Sequence, residues 1–376
     1  MPTPLSLAAL QTLRGRVPLM LDHLEMLVNI ESPSEDIDAT TEATEAVDDL
    51  VLDLLGSRCE VQSEGGRPHL HWSGGGRTRV LLVAHIDTVW PIGTTSRWPF
   101  SMREGRATGP GTFDMKAGLV QGLHAMSLLK DLEGVALLVT TDEEIGSPTS
   151  RALIENRARG AAAALVLEPS AAGALKSARM GVSNYELLVH GKAAHAGLEP
   201  EKGINALLEL AHQLLALNAI AERSPGTTIT PTLSSAGTTT NTVPATATAA
   251  LDVRVLTDEE QEHVDQALRR TRPVLAGARL EVRGGPNRPP LPSNLSIDLV
   301  RRAQRLAQQL GLGDLADVHV GGGSDGNFTA GIGVPTLDGL GAVGDGAHAE
   351  GEYVEVSAMP ERAALVHALV EELSAP

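Results

Sequence analysis

Residues 79–89 read RVLLVAHIDTV, five apolar residues in a row that give way to His85 and Asp87. A continuous apolar run of this length is the pattern of a strand buried on both faces, with no wet side to alternate toward. Two further runs of the same kind follow: residues 134–144, GVALLVTTDEE, end in Glu143 and Glu144, and residues 161–170, AAAALVLEPS, end in Glu168 with Pro169 stiffening the exit. Helical segments separate them, MKAGLVQGLHAMSLLK at 115–130 and PTSRALIENRA at 148–158, the latter with Pro148 near its first turn. Buried strand and helix alternate, so the expected fold class is α/β, a mostly parallel central sheet flanked by helices.

Upstream, residues 5–30 place Leu10, Leu13, Val17, Leu21, Leu24 and Leu27 at helical spacing, which predicts one amphipathic helix. A second, acid-rich helix is expected at 40–57, and EVQSEG (60–65) and PHLHWSG (68–74) read as a strand pair. Near residue 180 the pattern changes. GVSNYELLVHGKA (181–193) and ATATAALDVRVL (245–256) alternate apolar and polar, as half-exposed antiparallel strands do. GINALLELAHQLLALNAI (203–220) and TDEEQEHVDQALRRTRPVL (257–275) read as helices, the second with Thr257 as N-cap, and ARLEVRGG (278–285) as a strand. These predict a β-α-β-β-α-β-like, ferredoxin-like α+β domain at residues 180–290, inserted into a domain formed by 1–179 and 291–376. The Pro/Gly-rich connector GGPNRPPLPSN (284–294) leads back to a helix at 295–311, short strands at VHV (318–320) and VPTLDGLG (334–341), and a final helix at 357–373.

Composition narrows the function. With 376 residues, 42% hydrophobic and 20% charged, the chain has an ordinary globular makeup; aromatics are only 2%, so the core is built from Ala, Val, Leu and Ile. A net charge of −17 argues against nucleic acid and against an anionic membrane surface as partners. The single cysteine, Cys59, excludes an internal disulfide and fits a cytoplasmic location. The opening MPTPLSLAALQTLRGR has a short apolar stretch broken by Gln11 and Arg14, unlike a signal peptide. No run approaches the ~20 apolar residues needed to span a bilayer.

The chemistry lies where the strands end. His85 is an imidazole of the kind zinc takes, and Asp87 can orient it. Asp114 follows GPGTF at the start of a helix, where a carboxylate can bridge two metals or simply cap the helix. Of the adjacent Glu143 and Glu144, one can bind metal while the other serves as general base. Glu168 ends its strand at the sheet's functional edge, and His348 sits in the small-residue loop GDGAHAEGE (344–352). Singly, each has a bland reading as a structural histidine, a cap or a surface acid. Together they supply two histidines and three carboxylates, a thiolate-free set that suits two zinc ions, with cobalt or manganese as substitutes. Two such ions ~3.5–4 Å apart can bind a hydroxide and stabilise both attacking and developing oxygens.

HIDTVWP (85–91), GPGTFDMKAG (109–118), DEEIGS (142–147), LEPS (167–170), GKAAHAG (191–197), NTVPATATAALDVR (241–254), GGGSDGNF (321–328) and HAEGEYV (348–354) occur in an order that covers nearly the whole chain. In these motifs the sequence resembles the dizinc aminoacylase and glutamate-carboxypeptidase family of metallopeptidases, most closely its carboxypeptidase G branch. The resemblance implies that His85 and Glu168 hold one zinc, Glu144 and His348 the other, and that Asp114 bridges them. It implies Asp87 as the orienter of His85, Glu143 as general base acting on a dizinc-bound hydroxide, and a cis bond between Asp114 and Met115. In the inserted lid and dimerisation domain it implies His195 as an oxyanion stabiliser reaching across a homodimer. Asn241, Arg254 and Arg288 would face the substrate, Lys176 would read an acidic side chain, and Gly322 and Gly323 would line the pocket with backbone groups. The implied activity is release of a C-terminal amino acid from an N-acyl amino acid, a folate-like conjugate or a short peptide. An N-acyl-amino-acid deacylase is the alternative, and a non-catalytic dimeric binding protein a remote one.

Overall fold

The computed structural model describes residues 4–221 and 225–375. The chain forms two compact units, one from residues 1–178, 291–320 and 324–376, the other from residues 179–290 and 321–323.

The first unit is an α/β domain around a six-stranded mixed sheet ordered Glu60–Glu64, Arg67–Ser73, Val135–Thr140, Val80–His85, Ala163–Val166, Thr336–Leu337. Val80–His85 is central and runs parallel to both neighbours. The Arg67–Ser73 strand and its Glu60–Glu64 hairpin partner add an antiparallel edge. Every residue of Val80–His85 and Val135–Thr140 is buried, as their unbroken apolar runs require. Along Val80–His85 the side chains divide by parity. Val80, Leu82 and Ala84 join a large core with helices Val17–Asn29, Ile37–Leu55, Ala117–Met126 and Met359–Ser374, while Leu81 and Val83 join a smaller one with Ile154, Ala158 and Phe328. At roughly 1.5–3 kcal/mol per buried aliphatic side chain, these central strands are firmly held, and the residues at their ends stand on a rigid support.

The second unit is a four-stranded antiparallel sheet ordered Thr228–Ala236, Thr246–Val255, Gly181–His190, Arg279–Arg288, with helices Ala206–Ala221 and Asp258–Arg269. In chain order this is β-α-β-β-α-β. Thr246–Val255 alternates buried and part-exposed residues along its length, and Thr257 caps its helix by accepting from the Glu260 N–H.

The structure corrects three details. The helix expected over 5–30 is two, Pro4–Gly15 and Val17–Asn29, because the backbone leaves helical geometry at Arg16 and Pro18 falls in the first turn of the second helix, where it loses no hydrogen bond. The helix expected from Met115 starts at Ala117, after a separate turn over Thr112–Lys116. The strand Thr228–Ala236, which the sequence pattern does not announce, is exposed along nearly its whole length and carries Pro231 beside a register shift, a combination tolerated at a sheet edge.

Candidate active site

Three parallel strands deliver side chains to one edge of the sheet. His85 is the last residue of its strand and pairs in register with Thr140, while Val83 pairs with Val166. The chain therefore leaves the neighbouring strands beside His85, and it does so through Glu143 and Glu144 on one side and Glu168 on the other. Asp114 arrives from the turn Thr112–Lys116, which Gly111 enters with a positive φ of 72°, and its peptide bond to Met115 is cis. His348 comes from a loop in which it holds a φ of 61°. Two glycines give the Glu168 strand exit its room. A Cβ on Gly118 would stand 2.0 Å from the Leu167 carbonyl oxygen, and one on Gly341 would stand 2.1 Å from the same atom.

The five ligand candidates form two groups that share Asp114: His85, Asp114 and Glu168, and Asp114, Glu144 and His348. His85 Nε2 lies 3.4 Å from Asp114 Oδ1 and 3.4 Å from Glu168 Oε1. His348 Nε2 lies 3.4 Å from Asp114 Oδ2 and 2.9 Å from Glu144 Oε2. Thus each oxygen of Asp114 faces a different histidine. Ligands at ~2.0–2.1 Å around a tetrahedral ion stand about 3.3 Å apart, so 3.4 Å suits two atoms meeting on one cation better than a hydrogen bond. His85 Nε2 and Asp114 Oδ1 are buried without a hydrogen-bond partner, which in native interiors calls for an occupant. The residues present fit a pair of divalent cations.

The electrostatics agree. Burial opposes a charge on His85, yet Asp114, Asp87 and Glu168 outweigh it and hold the imidazole well above its usual pKa. The Asp114 and Glu144 carboxylates beside it lift His348 to about 10. Burial resists ionisation of Asp114, but the two histidines pull it far below the usual carboxylate range. Glu144 is raised, chiefly by burial and then by the nearby Asp114 charge. Such a cluster of carboxylates calls for positive charge at the two imidazole Nε2 positions.

Asp87 is fully buried and makes more contacts than its expected role requires. His85 Nδ1 sits 3.0 Å from the Asp87 backbone carbonyl and 3.4 Å from its carboxylate. That carboxylate accepts from Ser34 Oγ at 2.6 Å and from the backbone N–H groups of Glu143 at 3.2 Å and Glu144 at 3.1 Å. It therefore fixes the turn that carries both glutamates as well as lying beside His85. Asp325 supports the same turn from below, accepting from Thr140 Oγ1 and Ser147 Oγ. Ser34 and Asp325 carried no chemical signature in the sequence; only the fold reveals them.

The remaining candidates divide between the units. Lys176, in the first, points its ammonium at Glu168 Oε2, 3.9 Å away, so its charge is directed toward a ligand candidate. His195, Asn241, Arg254, Arg288, Gly322 and Gly323 belong to the second. His195 is exposed, and its Nδ1 accepts from the N–H groups of Gly197 and Leu198, which leaves the ring proton on Nε2 as an outward donor. Asn241 is exposed, and its carbonyl accepts from the Ala196 N–H. Arg254 grips Asp252, two residues back on its own strand, through Nε and one terminal nitrogen at 2.7 Å each. Arg288 is buried, and a Cβ on Gly323 would meet its Cδ at 2.8 Å. Arg179 donates to the carbonyls of Gly322 and Gly323 and so pins the glycine segment.

A parallel-sheet edge carrying two nitrogen–oxygen ligand groups with a common carboxylate defines the class: a metal-dependent hydrolase. The chain belongs to peptidase family M20/M25/M40, whose model matches residues 81–372, and is a metallopeptidase or amidohydrolase of that family. It is 31% identical over 373 residues to carboxypeptidase G2 of Pseudomonas sp. (strain RS-16), covering 95% of this chain and 90% of that protein. It is 27% identical over 350 residues to succinyl-diaminopimelate desuccinylase of Wolinella succinogenes, covering 88% and 90%. Its fold matches the M20 family metallo-carboxypeptidase Sso-CP2 of Sulfolobus solfataricus with a TM-score of 0.75 at 17% identity, covering 94% and 99%. Among the described residues no helix is long and apolar enough to cross a membrane.

Proposed function

We propose that the protein is a zinc-dependent carboxypeptidase of glutamate type, which hydrolyses an amide bond to release a C-terminal amino acid from an N-acyl amino acid, a folate-like conjugate or a short peptide. The observation that carries the reading is the sharing of Asp114 between the two ligand groups, and the relative at 31% identity supports the carboxypeptidase branch. His85 and Glu168 would hold one zinc and Glu144 and His348 the other, with cobalt or manganese able to substitute. When bound, the pair supplies Lewis-acid polarisation of the substrate carbonyl and of water. Glu143 accepts the proton of the attacking water and passes it to the leaving nitrogen. His195 donates from Nε2 to the developing oxyanion. Asn241 and Arg288 orient the substrate, Lys176 reads an acidic side chain, and Arg254, freed from Asp252, contributes a carboxylate-gripping fork. The backbone at Gly322 and Gly323 lines the pocket.

Partnership with a second copy belongs to the same reading. Leu207, Leu208, Leu215 and Leu233 are each about half exposed or more; the first three lie on helix Ala206–Ala221, the last on the open edge strand Thr228–Ala236, features that a homodimer would cover. Residues 180–290 would then form the lid and dimerisation domain, and a cytoplasmic location accords with the single cysteine.

The desuccinylase relative supports a second reading, an N-acyl-amino-acid deacylase, which uses the same site with a different acyl group. The test is a panel of N-acyl and N-aroyl amino acids offered to zinc-loaded and chelator-treated protein, with released amino acid quantified, beside Glu143→Gln. Zinc-dependent release with glutamate preferred, lost in Glu143→Gln while zinc is retained, is expected. Preference for small N-acyl groups on other amino acids selects the deacylase, and release that survives chelation or the Glu143 substitution refutes the mechanism.

A further inference from the structure

One charge in the first unit is buried with nothing opposite to neutralise it. Arg362, near the start of helix Met359–Ser374, is 5% exposed. Among the described residues it forms no ion pair. All three of its hydrogen bonds go to backbone carbonyls: Nε donates to Gly341 at 3.1 Å, one terminal nitrogen to Gly173 at 3.2 Å and the other to Gly339. Burial brings the guanidinium down to about 10, with no acid to oppose it. Hiding an ion costs several kcal/mol, and the start of a helix disfavours a cation. An apolar side chain would serve the core better unless these carbonyls themselves must be held.

The carbonyls frame the exit of Glu168 from its strand. On one side runs segment 339–342, where the N–H groups of Leu340 and Gly341 donate to the carbonyls of Val166 at 3.2 Å and Glu168 at 2.9 Å. Ser170 gives both its N–H and its Oγ to the Ala342 carbonyl, each at 2.9 Å. On the other side the chain turns tightly over 170–174. Ala171 and Ala174 exchange both backbone hydrogen bonds, Ala172 and Gly173 hold φ angles of 49° and 87°, and Ser170 Oγ accepts from the Gly173 N–H at 3.1 Å. Arg362 joins the two pieces, through Gly339 and Gly341 on one and Gly173 on the other. A guanidinium offers its donors in a rigid planar fork, so carbonyls bound to it are fixed relative to one another, which a rotating ammonium does not achieve.

We propose that Arg362 is a positioning residue for Glu168: by tying segment 339–341 to the turn at 170–174, it fixes the backbone from which the Glu168 carboxylate reaches toward His85 Nε2. The proposal rests on the dinuclear reading above. Arg362→Met, of similar reach but without donors, tests it, with Arg362→Lys beside it. Both are made in wild type, in His348→Ala, which keeps His85, Asp114 and Glu168, and in Glu168→Gln, which keeps Asp114, Glu144 and His348. Metal-free protein is melted, then titrated with zinc against a competing chelator to give stoichiometry and each dissociation constant.

The expected result is that Arg362→Met keeps a cooperative metal-free melt and weakens the zinc retained by His348→Ala roughly tenfold. That is the low end for groups that orient a ligand, because Arg362 acts through backbone. The zinc retained by Glu168→Gln is expected to bind unchanged, and Arg362→Lys, which keeps the charge and loses the fork, to follow Arg362→Met. A role in folding alone would move the melt and weaken both sites alike. Wild-type affinity at both sites in Arg362→Met, equal weakening at both, full affinity in Arg362→Lys, or neither Arg362 variant obtained folded each overturns the proposal. A wild-type protein that binds fewer than two zinc ions overturns the dinuclear reading itself.

Discussion

Replacing Asp87 by alanine tests the local architecture most severely, because one buried carboxylate serves several partners. The substitution strips the acceptor from the backbone N–H groups of Glu143 and Glu144 and from Ser34 Oγ. The serine has a weak alternative in the Thr88 carbonyl at 3.4 Å, so its loss adds little. The two N–H groups lose this acceptor, and an unsatisfied buried donor costs about 1–3 kcal/mol, which sums to about 2–6 kcal/mol. Water admitted to the gap pulls the loss toward the lower figure. That is a large part of the 5–15 kcal/mol that typically holds a domain together. Urea unfolding of metal-free wild type and Asp87→Ala measures it directly. Asp87→Asn, which keeps one acceptor oxygen but must turn an amide NH₂ toward a donor, should fall between them. Metal affinity should drop roughly 10–100-fold, as for other partners that orient a ligand. A metal-free Asp87→Ala protein within about 1 kcal/mol of wild type would show that this carboxylate does not hold the glutamate turn, and the reasoning would fail.

Other perturbations have equally definite signs. Gly118→Ala forces a methyl to within 2.0 Å of the Leu167 carbonyl; the strand exit must move, and a loss of roughly 1–3 kcal/mol from overpacking should appear in the melt together with weaker metal binding through Glu168. His124 is fully buried and held down at about 4 by burial, with His23 and Arg16 nearby. The unfolded chain therefore takes up a proton near pH 6.5 that the folded one refuses, so stability should fall between about pH 6.5 and 4 by up to ~3 kcal/mol. A His124→Leu variant whose unfolding free energy falls as steeply over that window would refute the assignment. His195→Ala should lower kcat about 10²–10³-fold with both metals retained, and an unchanged kcat would remove His195 from the reaction.

The ends of the central strands were the legible part of this protein. RVLLVAH, GVALLVT and AAAALVL are apolar without interruption, and a run of that kind has few homes besides the middle of a parallel sheet. A polar residue that ends such a run stands where the fold is rigid, which is why His85 and Glu168 could be singled out and why the structure finds them 3.4 Å apart. Asp114 and His348 reach the same place from loops, and no periodicity announces a loop's destination; their motifs did. Glu352 lay inside one of those motifs without any sign that it would be buried. Ser34, Asp325 and Lys116 were silent for the same reason, since a hydroxyl, a carboxylate or an ammonium reads as surface until a fold encloses it. The missed strand Thr228–Ala236 has little apolar alternation to see because it buries so little.

The slot around the Leu167 carbonyl has a consequence for how sequences of this kind can diverge. Most packing conflicts can be settled by trade: one side chain grows while its neighbour shrinks. Here the object between Gly118 and Gly341 is a backbone oxygen, 2.0 Å and 2.1 Å from where their β-carbons would stand. A backbone oxygen has no smaller version. Substitution at position 167 therefore cannot compensate for a side chain at 118 or 341, and neither of those positions can compensate for the other. Descendants of this chain that keep the strand exit should keep both glycines, while the residue at 167 itself drifts among apolar types.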